Sequence, residues 1–200
     1  MKMPDLDKTD GRKLRSLASR ERIIEALIAL IDEDDDPPSA ENIAARAGVG
    51  LRSLFRHFGD MDSLYTAVLD RIGRRYLHFL EPYCSTGWPD QVQELVARRM
   101  EMFQGALGYR RAADLYRSGS ESVQIGRRAF EQMLRARLES VVPEALREDS
   151  LWFEQLDQWL SLDCYASLRD RRGMAHENAV TVIITAVTAL VAGKAGAPIT

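Results

Sequence analysis

Arg52, Ser53, Arg56 and His57 fall within six consecutive positions, flanked by Leu51 and Phe58, with no acid among them. Taken as a helix, the segment puts Leu54 and Phe58 on one side and Arg52, Ser53 and Arg56 on the other. A guanidinium held out from a short helix can donate two parallel hydrogen bonds to guanine in a major groove, which is worth about 1–3 kcal/mol of discrimination. Leu51, at the start, can meet a thymine methyl. His57 can donate to a phosphate from one ring nitrogen. The plainer reading is two solvated arginines and a histidine packed between helices.

Other chemistry finds no comparable grouping. His57, His78 and His176 lie far apart, and none sits at metal-ligand spacing such as HExxH. Gly48-Val49-Gly50 lacks the preceding strand and the third glycine of a phosphate loop. No nucleophile stands with a base and an orienting acid. Catalysis, a cofactor and a metal are therefore not expected.

The elements that must hold Arg52 and Arg56 begin at Ser39, whose side-chain oxygen suits the N-cap of a helix carrying Ile43, Ala44 and Ala47. Gly48 follows where the chain must reverse within three residues, and glycine takes a left-handed backbone without steric cost. Val49 plugs the turn. A second helix, about Leu51 to Phe58, turns Leu54, Phe55 and Phe58 inward. This is a helix-turn-helix, a pair that lays its second helix in the major groove.

Ile43-Ala44, Ala47-Gly48-Val49 and Leu54-Phe55-Arg56-His57-Phe58 resemble the DNA-binding motif of the TetR/AcrR family of bacterial transcriptional regulators. An amphipathic helix before the motif and Gly59-Asp60-Met61-Asp62-Ser63-Leu64 after it extend the likeness over residues 19–66. The resemblance implies DNA contacts from Ser39, Leu51, Arg52, Ser53, Phe55, Arg56 and His57. It also implies a homodimer on a palindromic operator, a small-molecule effector, and repression as the commoner mode. Four positions depart from the family pattern. Phe55 and Met61 replace a tyrosine and a lysine that commonly reach phosphates, Gly50 replaces a Ser or Thr cap, and Arg52 replaces a small residue.

The 200 residues carry a net charge of −3, so the chain as a whole is no basic nucleic-acid binder. Distribution is more telling. Met1 to Leu30 holds seven Lys or Arg against five acids, and Arg46 to His57 holds three arginines and no acid. Residues 1–18 read as a flexible basic arm, in which Lys13 and Arg15, with Arg20 and Arg22 just beyond, can neutralise phosphates without reading sequence. Asp32 to Asp36, before Pro37-Pro38, reads as a solvated acidic loop facing away from any DNA. Cys84 and Cys164 show no CxxC spacing, which suits a reducing compartment. No apolar segment follows the basic start, as a secreted leader would need. The uncharged run Asn178 to Gly193 is shorter than the roughly 18 residues of a membrane span. A cytoplasmic protein with no membrane partner is expected.

Apolar periodicity predicts an all-α chain, which the resemblance divides into an N-terminal three-helix helix-turn-helix domain (19–66) and a C-terminal helical effector and dimerisation domain (67–200). A fourth helix, capped by Asp60, carries Leu64, Val68, Ile72, Leu77 and Leu80. Helices follow at about 91–107, to 118 after a Gly108 break, 123–141, 150–171 and 175–192. Met100, Phe103, Tyr109, Tyr116, Phe130, Trp152 and Trp159 can line a pocket for a hydrophobic ligand or simply fill a core. Leu156 and Leu160 on one late helix, and Val180, Ile184, Val187 and Val191 on the next, can build the core of a monomer. They can equally meet a second copy as a four-helix bundle, which the resemblance favours. Against a regulator stands a ligand-independent architectural or protein-interaction module using the same helices.

Overall fold

A computed structural model describes residues 6–33, 38–117 and 121–195. Among these no strand occurs. The helices are α1 (Leu6–Glu33), α2 (Ala40–Ala47), α3 (Leu51–Phe58), α4 (Met61–Arg75), α5 (Trp88–Arg117), α6 (Glu121–Glu139), α7 (Glu144–Arg147), α8 (Ser150–Trp159), α9 (Leu162–Ala166) and α10 (His176–Ala195). A 3-10 turn, Leu77–Leu80, follows α4, and a π turn, Ser167–Arg171, continues α9. The chain divides into two compact units, Met1–Arg75 with Gly108–Ser120, and Tyr76–Leu107 with Glu121–Thr200.

The first unit is built on Ile23 and Leu27 of α1, Ile43 of α2, Leu54 of α3, and Leu64, Tyr65 and Val68 of α4, all at most 0% exposed. Each such side chain contributes about 1.5–3 kcal/mol on leaving water. α1 begins at Leu6, so residues 6–18 are not the flexible arm expected; residues 1–5 of that arm lie outside the described residues. Lysine, arginine, leucine and alanine dominate this stretch and favour helix, with only Gly11 opposed. Gly108, expected to break a helix, lies inside α5. A Cβ there would sit 3.1 Å from the Ile31 side chain and 3.3 Å from the Ile31 carbonyl, so the residue marks a close approach. The unit therefore takes in residues 67–75 and 108–120 as well as the stretch 19–66 singled out from sequence.

The second unit packs Val92, Leu95, Val96 and Phe103 of α5 with Leu138 of α6, Leu156 of α8, Tyr165 of α9 and Ile183 and Val187 of α10. Leu77 and Leu80 do not extend α4; both are exposed, and Phe79 takes the core position instead. Tyr76 lies where a Cβ on Gly105 would overlap its hydroxyl, so a side chain here would have to displace the tyrosine ring. The helix expected over 150–171 is divided. The Leu160 N–H is drawn back to the Leu156 and Asp157 carbonyls, and the Ser161 hydroxyl accepts from the Cys164 N–H at 3.0 Å, capping a new start. α10 is long and apolar enough to cross a membrane by length and composition, and only 22% of its most apolar window is buried.

Candidate nucleic-acid interface

Local chemistry sets the α2–α3 turn. Ser39, extended at φ −71 and ψ 158, accepts from the Asn42 N–H through Oγ at 3.1 Å. At the far end Gly48 adopts φ 64, ψ 38, a left-handed conformation that L side chains rarely take. Its N–H donates to the Ala45 carbonyl at 3.1 Å and that of Val49 to Ala44 at 3.0 Å, the paired closure that satisfies orphan carbonyls. Gly50 then caps α3 with no side-chain hydrogen bond; its carbonyl accepts from Ser53 and Leu54. The Leu51 and Arg52 amides are thus left for water or an anion.

α3 is strongly two-sided. Leu54 and Phe58 are buried, at 0% and 5% exposure, whereas Leu51, Arg52, Phe55 and Arg56 are exposed. Phe55, expected to turn inward, is 38% exposed, because its position falls between the two faces. Arg56 donates to Ser53 Oγ at 3.1 Å, so two of the expected readers hold each other. Arg52 makes no bond with a described residue. His57 is half-buried. Burial, then the charges of Arg56 and Arg20, hold its imidazole below the usual histidine range, which leaves it neutral at pH 7 with one N–H to donate.

Several neighbours differ from the sequence reading. Arg46 is bound through both terminal nitrogens to the Glu33 carboxylate, so its charge is compensated within the unit. Asp34 to Asp36 of the acidic run lie outside the described residues. Arg20 is half-buried: its Cζ lies over the Phe58 ring, 4.3 Å from the centroid, and Nη1 donates to the His57 carbonyl at 3.4 Å. Met61, standing where the resemblance calls for lysine, is buried at 6% exposure, while Asp60 caps α4 by accepting from the Ser63 N–H at 2.7 Å. Between α1 and α4 an open cleft of about 700 Å³, unanticipated from sequence, is lined by Arg20, Ile24, Ile28, Ala67, Arg71 and Ile72 among others.

The seven pocket candidates do not gather in one place. Met100, Phe103 and Trp152 lie in the core of the second unit, and Phe130 and Trp159 pack against it half-buried. The Trp152 indole N–H donates to the Leu190 carbonyl at 3.0 Å. Tyr109 belongs to the first unit, where its hydroxyl donates to the Tyr65 carbonyl at 3.1 Å. Tyr116 lies outside the residues whose side chains are described.

Of the interface candidates, Leu156, Leu160, Val187 and Val191 are buried in their own chain, which corrects their assignment to a surface between copies. Ala179, Ile183, Val187 and Val191 recur every four residues and face inward together. Val180 is half-buried and Ile184 is 37% exposed. Missed altogether was Arg99, fully buried in the second unit. Nη1 donates to the Leu160 carbonyl at 2.8 Å and Nη2 to that of Leu134, while burial lowers the guanidinium to about 10. Its phase with Val92, Leu95, Val96 and Phe103 was the available signal.

No family model matches the chain. No curated protein matches it either. Among solved structures, the chain is similar to the crystal structure of a TetR transcriptional regulator from Rhodococcus sp. RHA1. Identity is 23%, over 88% of this chain and 97% of that one, with a TM-score of 0.55. The chain thus has the all-α fold of that regulator, the one its motif residues implied.

Proposed function

We propose that the protein is a sequence-specific DNA-binding transcriptional regulator that inserts α3 into the major groove. One observation carries this: a two-turn helix whose Leu54 and Phe58 side is buried presents Arg52 outward, without a bond to any described residue. Arg52 would read guanine, Arg56 with Ser53 would read a neighbouring base or phosphate, and Leu51 and Phe55 would meet thymine methyls or sugar. Ser39, His57 and the Leu51 and Arg52 amides of α3 would position the duplex through phosphates. Their use offsets the ammonium missing at Met61.

In this reading the first unit reads DNA, and the second senses a small hydrophobic effector and joins two copies on a palindromic operator. The effector shifts the population between dimer shapes that do and do not fit the half-site spacing, and repression is taken from analogy with the family the motif resembles, where it is the commoner mode. Selection of bound duplexes from a random pool tests the proposal. An enriched inverted repeat is expected. A pool that stays random, with binding abolished alike on all sequences by salt, rejects it.

A further inference from the structure

We infer that Arg20 is a positioning residue for the DNA reader, its guanidinium over the Phe58 ring and bonded to the His57 carbonyl so that it seats the C-terminal end of α3. The inference rests on the reading of α3 given above.

An eight-residue helix is marginal on its own, so its orientation is decided by what grips it. The last four carbonyls of a helix lack partners within it. In α3 the Phe55 carbonyl accepts from the Gly59 N–H at 2.7 Å, and the His57 carbonyl accepts from Arg20. A cation is also favoured where the helix dipole ends negative. The Cζ of the same guanidinium lies over the ring of Phe58, which is part of the buried side of α3. One side chain of α1 therefore holds both the backbone end and the apolar anchor of the helix bearing Arg52 and Arg56. Lysine keeps the charge but has neither the plane nor the fork.

A phosphate contact and a positioning contact separate cleanly in solution. Full-length wild type, Arg20→Met and Arg20→Lys are titrated with the selected duplex and a scrambled one over a salt series. Both variants should lose about tenfold on the selected duplex, the scale of one displaced base contact. Affinity for the scrambled duplex and the salt slope should stay as in wild type. A slope shallower by about one with equal loss on both duplexes makes Arg20 a phosphate contact and overturns the inference. Recovery of selectivity by lysine overturns the role given to the guanidinium.

A readout without DNA is the His57 ring titration by NMR together with amide exchange along α3. Arg20→Met should raise the His57 pKa, since a nearby cation is removed, and should speed exchange in α3. An unmoved His57 and unchanged exchange overturn the placement of Arg20. Wild type with no sequence preference would reject the proposed function instead, and the NMR arm would still decide for or against Arg20.

Discussion

α3 and α10 each show one buried side, but they leave opposite things uncovered. α3 hides Leu54 and Phe58 and offers Arg52, Arg56 and a neutral His57 to water. α10 hides Ala179, Ile183, Val187 and Val191 and leaves Ile184 exposed among Thr181, Thr185 and Thr188. The threonines are not a polar surface in search of partners: Thr181 and Thr185 donate to the Glu177 and Thr181 carbonyls one turn back, at 2.7 and 2.8 Å. Charge left outward on a rigid helix suits a hydrated, charged partner. Apolar surface with its hydroxyls already bonded suits another protein surface. The two helices therefore should fail in different assays when altered.

The largest effect should come from Leu54→Ala. The residue is fully buried, and its truncation should cost about 2–5 kcal/mol, read by denaturant unfolding. The loss should appear in the first unit; an unchanged midpoint would mean that α3 is not anchored by its apolar side. Next comes Arg52→Ala, which should leave the unfolding midpoint alone and cost about 1–3 kcal/mol of binding, confined to particular bases. Lys13→Ala and Arg15→Ala should weaken all sequences alike with a shallower salt slope. Identical behaviour of the three variants would erase the distinction between reading and anchoring.

The α2–α3 corner was legible in sequence because its determinants are local. Ser39 caps, Gly48 needs positive φ, and both constraints act within four residues. The rest depended on what came close in space. A helical glycine can mark a break or a close approach, and only Ile31 decides that Gly108 is the second. Arg99 drew no reading from sequence, because only its helical phase with Val92, Val96 and Phe103 hinted at the 0% exposure it has in the structure. α10 was harder still. Apolar residues on nearly every side leave the inward face undetermined, so Val187 and Val191 were read as an interface when they face their own core.

pH should separate the units at smaller amplitude. The Ser85 N–H, with the Cys84 N–H and the Arg98 guanidinium, holds the Glu94 carboxyl down to about 2. A carboxyl lowered in the folded state stabilises above its unfolded value of 4.5 and loses that contribution as pH falls toward 2. His57 is also lowered, from 6.5, so the unfolded chain takes its proton first and stability declines as pH drops below about 6.5. Amide exchange followed by mass spectrometry should show α3 loosening at a higher pH than the 84–94 segment. Glu94→Gln should remove the second step alone. Simultaneous loosening would place both on one cooperative event.

The smallest effect on the protomer tests the two faces of α10 three residues apart. Val187→Ala removes two methyl groups from a site with 0% exposure and should cost about 1.5 kcal/mol or more. Ile184→Ser acts at 37% exposure and should stay within about 0.5 kcal/mol for the isolated protomer. If α10 meets a second copy, that ranking inverts for association, because only the outward side chain leaves water when two chains join. Sedimentation over a dilution series should then find dissociation at higher concentration for Ile184→Ser than for Val187→Ala at equal folded fraction, since folding and association are linked by mass action. Equal association for both variants would move any contact between copies off this face of α10.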